Sequence, residues 1–410
     1  MDVYDDLESR DPEARGAALM AALPGQIAHA KAKAPGFGAL LEGVEPEAVK
    51  SRAALAGLPV LRKSELIERQ QAAPPFGGLS TLGLGEAPRV FASPGPIFEP
   101  QGRRKNHWRL ARALYAAGFR AGELVHNAFS YHLTPGGWMM DDAARALGCC
   151  VFPAGVGNGE QQAQAIAQLR PAGYTGTPDF LKVLLDKGAE LGLDLSSITK
   201  AIVSGGALFP SLREEYAGRG VAVLQCYATA DLGLIAYESA AKEGLILDEE
   251  IIVEIVRPGS GLPVTGDEVG EVLVTTLDPD YPLVRFATGD LSAWLAGPSP
   301  CGRSAPRIKG WMGRADQTTK VKGMFIHPSQ VAQVTARHGE IGRARLVVSR
   351  EAEADRMTLR CEVAGGELAL AEAIAGTLQE VCKIRGGVEF YEPGSLPNDG
   401  KVIEDQRDYD

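Results

Sequence analysis

Leu124-Val125-His126-Asn127-Ala128-Phe129 is an apolar run of strand length; Trp138–Leu147 after it is amphipathic, and Cys149–Pro153 is a second apolar run. The same alternation continues through Glu160–Leu169, Tyr174, Pro178–Leu191, Ile198–Ser204, Pro210–Ala217 and Val221–Cys226. Strand-length runs separated by helical stretches predict a largely parallel sheet covered on both faces, so the chain reads as α/β. Such sheets place ligands at the carboxyl ends of their strands. The Gly-, Ser- and Thr-rich loops after these runs are therefore the first candidates for a site.

Outward from this core, residues 1–85 read as a helical cap, with segments broken by Pro24, Pro35, Pro46 and Pro59 and a polar-faced helix from Lys63 to Gln71. The α/β core takes residues 86–236. After Tyr237 the texture changes to short β-branched runs, Ile251–Val256, Glu271–Thr276 and Leu283–Phe286, which predicts an antiparallel β subdomain over 237–315. Residues 316–410 then form a small α+β domain, giving two domains, 1–315 and 316–410.

A chain of 410 residues with 45% hydrophobic and 23% charged residues has ample material for a large core. Its net charge of −10 is spread over short clusters without a basic stripe, which argues against nucleic acid. The six cysteines show no paired or metal-ligand spacing, as expected in a reducing cytosol. The polar start and the absence of an apolar run of ~18 residues predict a cytoplasmic chain with no membrane partner. The six histidines lack metal-ligand spacing and read as surface or site-lining residues.

Four segments carry chemistry. Leu283-Val284-Arg285-Phe286-Ala287-Thr288-Gly289-Asp290 ends in an aspartate able to present two acceptor oxygens to a vicinal diol. Gly313-Arg314-Ala315-Asp316 runs into Val321-Lys322-Gly323. Close to the end, Leu396-Pro397-Asn398-Asp399-Gly400-Lys401 carries a mobile point charge. Upstream, Gln225-Cys226-Tyr227-Ala228-Thr229-Ala230-Asp231 joins an aromatic ring to a carboxylate. Singly, each string is ordinary: a turn, a tail lysine, a core aromatic.

In this order along the chain, the segments resemble the signatures of phenylacetate-coenzyme A ligases, members of the adenylate-forming superfamily. The resemblance implies a large α/β domain with a β subdomain, followed by an α+β lid. It assigns Tyr227 to stacking on adenine, with Gly205 and Gly206 of Ser204-Gly205-Gly206-Ala207 flanking the base. Asp290 takes the ribose hydroxyls and Arg314 the nucleotide. Asp316 becomes the hinge, Lys322 and Gly323 the lid loop near the coenzyme A tunnel, and Lys401 the lysine that bridges carboxylate and α-phosphate. Asp231, standing where the family has glutamate, is implied as the Mg²⁺ ligand. Asn127, Phe129, Tyr131 and His132 resemble the acyl-pocket segment, although packing against Trp138 would explain each of them equally.

One segment departs. Ala92-Ser93-Pro94-Gly95-Pro96-Ile97-Phe98-Glu99-Pro100 faces the family's phosphate loop but keeps only Ala92, Ser93, Gly95 and Pro100. Two prolines remove N–H donors, and Glu99 puts a negative charge where a cation stands. Two functions follow. The first is an acid–thiol ligase that activates an aryl or arylacetic acid with ATP and Mg²⁺ and passes it to coenzyme A. The alternative is a homologue that binds AMP, adenylate or acyl-coenzyme A without splitting ATP, as a regulatory module or acyl transferase. A homodimer stays open.

Overall fold

The structure, a computed structural model, describes residues 1–410 except 1, 94–95, 207, 259–260, 318, 322–323, 352–353, 398–400 and 408–410; the side chains of 316, 320, 325, 329, 351 and 354 are also left undescribed. The chain divides into two compact units, Met1–Thr288 with Ala293–Gly310, and Gly289–Ser292 with Trp311–Asp410.

In the first unit a nine-stranded sheet runs Trp294–Leu295, Arg307–Ile308, Leu245–Leu247, Gly233–Tyr237, Ala222–Thr229, Lys200–Val203, Gly173–Gly176, Leu124–Asn127 and Cys150–Pro153. From Ala222–Thr229 to Cys150–Pro153 neighbours pair parallel, and the rest of the sheet is antiparallel. Side chains alternate between faces with period two, and the alternation sorts them into two cores. Val125, Ile202, Leu224 and Cys226 pack with Leu114, Met140 and Ala143. Ala201, Val203 and Val223 pack with Ala163, Ile166, Leu181 and Leu184 on the other side. The buried helical residues sit three and four apart, the spacing of one helix face: Met139, Met140, Ala143 and Ala144, then Gln162, Ala163 and Ile166.

A second sheet orders Leu61–Arg62, Phe286–Ser292, Gly270–Thr276 and Ile251–Val256. The stretch expected to form a separate β subdomain is thus divided. Ile251–Val256 and Gly270–Thr276 enter this sheet, whereas Leu245–Leu247 and Arg307–Ile308 extend the main one. The reason lies at Gly233, whose φ of +69° lets the chain fold back from Ala222–Thr229 into Gly233–Tyr237 and opens an antiparallel edge.

Pro24 does not break its helix. Pro12–Lys33 runs through it and buries Leu19, Leu23, Ile27 and Ala30 in the core that Ile252, Val274 and Phe286 complete. A helix-interior proline costs about 3 kcal/mol, and burying three large aliphatic side chains at about 1.5–3 kcal/mol each outweighs it.

The second unit holds a four-stranded sheet ordered Gly387–Tyr391, Ala354–Glu362, Ala344–Glu351 and Ile403–Asp405, with the helices Pro328–Ala336 and Leu368–Cys382. Its own core includes Val331, Val334, Leu346, Val348, Leu359, Ile374 and Leu378. Among the described residues, no helix is long and apolar enough to cross a membrane. Two histidines expected at the surface or a site are instead packed inside. His107 and His126 are 6% and 1% exposed. His126 bonds Gln162 at 2.8 Å, and burial lowers its pKa.

Candidate active site

The divergent phosphate-loop segment folds as an antiparallel pair, Val90–Ser93 with Ile97–Pro100; Phe91 faces Glu99 and Ser93 faces Ile97. These four are the inward side chains, so Glu99 occupies a position that the strand pattern assigns to the core. The pair is fastened from the helix Leu66–Ala72. Gln70 accepts from the Phe98 N–H and donates to the Phe98 carbonyl, both at 2.8 Å.

Glu99 is 1% exposed and accepts a hydrogen bond from Ser93 Oγ at 2.7 Å. Burial first, and the nearby Asp231 carboxylate second, push its carboxyl up to about 8, against the opposing effects of Ser93 and Lys63. The charge expected here from sequence is therefore largely discharged at neutral pH, because a carboxylate this deeply buried beside another is cheaper to protonate than to solvate.

Asp231, 6% exposed, follows the strand Ala222–Thr229 and is held by Lys63, whose ammonium lies 2.5 Å from Oδ2. Lys63 begins the short 3-10 turn Lys63–Glu65. Sequence reasoning placed it only in a polar helix, since a lone lysine has no signature. The one available signal was the loss of a cation at Glu99, which requires positive charge from elsewhere.

Lys63 and Ser93 also line a cavity of about 340 Å³. Its apolar wall is Leu110, Phe129, Met139 and Met140, and its polar rim is Ser204, Gly205, Thr229, Lys63 and Ser93. Ser204 and Gly205 follow the strand Lys200–Val203 and Thr229 ends Ala222–Thr229, at the carboxyl ends where such a sheet leaves room for ligands, while Lys63 and Ser93 reach the cavity from the Lys63–Glu65 turn and the strand Val90–Ser93. Gly205 has φ +72°, a conformation costly to any residue with a Cβ. A Cβ on Gly206 would come within 3.2 Å of Pro178.

The four acyl-segment residues have different surroundings. Phe129 lines the cavity. Asn127 is fully buried with its amide satisfied: Nδ2 donates to Tyr131 Oη and the Gly137 carbonyl, and Oδ1 accepts from the Phe129 N–H and Thr175 Oγ1. It fixes the loop that carries Phe129. Tyr131 donates to Asp141 at 3.2 Å, and burial raises its phenol pKa. His132 is exposed.

Tyr227, half-buried, donates from its hydroxyl to Thr288 Oγ1 at 3.2 Å, and a register shift between Tyr227 and Ala228 bends the strand there. In the signature run before Asp290, Arg285 is the largest fully buried side chain among the described residues and has φ +45°. Its guanidinium bonds both oxygens of Glu254 at 3.0 Å and the carbonyls of Ala56, Leu58 and Gly261. Arg285 therefore holds three segments together beneath the strand.

In the second unit, Asp290 Oδ1 accepts from Arg314 Nη1 at 3.2 Å and from Trp311 Nε1 at 3.1 Å. Gly289, at φ +76°, lies so close that an added Cβ would stand 2.7 Å from Arg314 Nη2. Asp316 falls in the turn Ala315–Gln317, and its side chain lies outside the described residues, as do Lys322 and Gly323 entirely. Lys401 is exposed, just before the strand Ile403–Asp405.

No protein-family model matches the chain. Among curated proteins, it is 29% identical to the phenylacetate-coenzyme A ligase of Thermus thermophilus over 82% of this chain and 79% of that one. It is 28% identical to the ligase of the same name from Aromatoleum evansii, over 85% and 82%. Among solved structures, it resembles an open conformation of 2-hydroxyisobutyryl-CoA ligase in complex with 2-HIB-AMP and CoA, with TM-score 0.85 and 25% identity over 97% of this chain and 93% of that one. The anthranilate CoA ligase AuaEII in complex with anthranoyl-AMP aligns with TM-score 0.54 and 16% identity over 76% and 65%, a likeness of fold alone.

Proposed function

We propose, from the premise that this chain is a phenylacetate-coenzyme A ligase-like member of the adenylate-forming superfamily, that it joins a carboxylic acid to coenzyme A through an acyl-adenylate. The observation that carries the reading is the cavity of about 340 Å³, apolar at Leu110, Phe129, Met139 and Met140 and polar at its rim. An acid with an aromatic or similarly compact apolar body fits this division: its body against the apolar wall, its carboxylate at the rim beside Lys63.

In the first half-reaction a carboxylate oxygen attacks the α-phosphorus of ATP and pyrophosphate leaves. In the second, the coenzyme A sulfur attacks the acyl carbon and AMP leaves. Neither step needs an enzyme nucleophile. Binding that holds the reactants in register and charges placed where negative charge develops account for the acceleration. Tyr227 and the Gly205-Gly206 loop serve the adenine, and Asp290 the ribose diol. Arg314 serves the nucleotide. Lys401 stabilises the adenylating transition state, with Asp316 as the hinge and Lys322-Gly323 as the loop toward the thiol. Asn127 acts by fixing the Phe129 loop.

The test is formation of aryl- or arylacetyl-coenzyme A from ATP, coenzyme A and a panel of acids, followed by mass spectrometry. Thioester from at least one acid, lost when Phe129 is replaced by a charged residue, supports the reading. A second reading, adenylate or AMP binding without ATP cleavage, is favoured by one observation, the replacement of the loop cation by the buried Glu99. Thermal stabilisation by AMP with no thioester from any acid would select it.

A further inference from the structure

We propose that Lys63 is the resident cation of this site, occupying the place at Asp231 that a divalent metal ion would take, so that the protein's own carboxylates bind no Mg²⁺. The inference rests on the ligase reading only for the expectation that Asp231 serves a metal.

Three features of the geometry oppose the metal. First, the Lys63 ammonium stands 2.5 Å from Asp231 Oδ2, and the Asp231 side chain has no solvent exposure while that of Lys63 has 25%. A Mg²⁺ ion sits about 2.0–2.1 Å from its oxygens, so at this oxygen it would meet the ammonium head-on. Second, Ser93 Oγ takes Glu99 Oε1 at 2.7 Å, which leaves at this pair only two buried oxygens without a hydrogen-bond partner, Glu99 Oε2 and Asp231 Oδ1. Third, among the described residues no group of three or more His, Cys, Asp or Glu side chains could hold a metal ion. Mg²⁺ demands near-octahedral oxygen ligation, and while the ammonium stands at Asp231 Oδ2 the two buried carboxyl groups do not offer it.

The arrangement suits a fixed organic cation instead. An ammonium has three donors, and Asp231 uses one of them. Lys63 lines the cavity, so its remaining N–H groups can meet the anionic end of a ligand there. Positive charge lost from the phosphate-loop segment at Glu99 is thereby restored from another element, with Asp231 as its buried counter-ion. Any divalent ion used in the reaction then arrives on the nucleotide's phosphates.

The experiment is Mn²⁺ binding to the full chain without nucleotide, read by water-proton relaxation and by electron paramagnetic resonance of free Mn²⁺, which is independent of ligase activity. The wild-type chain is expected to show no Mn²⁺ site that Asp231→Asn removes. Lys63→Met, which uncovers Asp231 Oδ2, is expected to bind Mn²⁺ roughly tenfold tighter than wild type or better, and the Asp231→Asn change in that background to abolish the gain. A wild-type Mn²⁺ site lost in Asp231→Asn overturns the proposal, as does a folded Lys63→Met chain that gains nothing. If Lys63→Met does not fold, the wild-type comparison with Asp231→Asn decides alone. Thioester formation without a protein-held Mn²⁺ leaves the ligase reading intact; a Mn²⁺ site without thioester formation sinks both.

Discussion

Arg285→Met removes the guanidinium that binds Glu254 through two 3.0 Å hydrogen bonds and caps the carbonyls of Ala56, Leu58 and Gly261. Glu254 is 6% exposed, so the substitution strands a buried carboxylate as well as three carbonyls. Breaking a buried ion pair from one side costs about 3–5 kcal/mol, most of it the price of the charge left behind. The thioether keeps much of the packed volume, so little of the loss is a cavity term. The upper part of that range is expected, because the stranded carbonyls add to it. Replacing Glu254 by Met as well removes the stranded charge, and the double variant should recover at least about 2 kcal/mol relative to the sum of the single changes. Guanidinium unfolding followed by tryptophan fluorescence measures this directly. Trp108, Trp138 and Trp294 lie in the same compact unit as Arg285 and Glu254. A loss below about 1 kcal/mol, accompanied by complete loss of thioester formation, would refute the assignment and make Arg285 a ligand-binding group.

The Glu99 carboxyl, pushed up to about 8 from an ordinary 4.5, binds a proton in the folded chain over a range where the unfolded chain has released it. Its contribution to stability is therefore complete below about pH 4.5 and lost as pH rises through 8, at up to about 1.4 kcal/mol per pH unit. Glu99→Gln should become progressively more stable than wild type between pH 5 and 8 in parallel denaturation series, and curves that stay parallel would contradict this. Lys401→Ala should slow acid-dependent pyrophosphate release by about 10²–10³, while thioester formation from supplied acyl-adenylate stays within a few-fold. Equal losses in both half-reactions would assign Lys401 a structural role. Gly289→Ala introduces a Cβ 2.7 Å from Arg314 Nη2 at φ +76°, so it should weaken AMP binding without unfolding the first unit's core. Unchanged AMP affinity by calorimetry would remove the Asp290–Arg314 pair from the nucleotide site.

The α/β alternation was legible because a strand buried on both faces leaves a near-continuous apolar run, as in Leu124–Phe129 and Val221–Cys226, whose residues divide between the two cores. Pro24 misled because the rule about helix interiors is local, whereas the burial of Leu23 and Ile27 that overrides it is tertiary. The division of the β region was hidden for a similar reason, since strand composition does not say which edge a strand joins. Tyr227, Asp290, Arg314 and Lys401 could be singled out as members of short strings in a fixed order. Lys63 could not. It lies 168 residues from Asp231 in sequence, and only folding makes the pair. Glu99 was correctly singled out, but its protonation depends on burial that composition does not reveal. For Asn127 the sequence left pocket and packing roles equally open, and its four hydrogen bonds are internal to the protein.

The central claim is that this chain forms an acyl-adenylate on the way to a thioester, and ATP–pyrophosphate exchange in the absence of coenzyme A isolates that step. Radiolabelled pyrophosphate should enter ATP only when a suitable aryl or arylacetic acid is present, and the exchange should fall when Lys401 is replaced by alanine. Exchange that is absent with every acid, in a preparation that AMP stabilises against heat, would contradict the account.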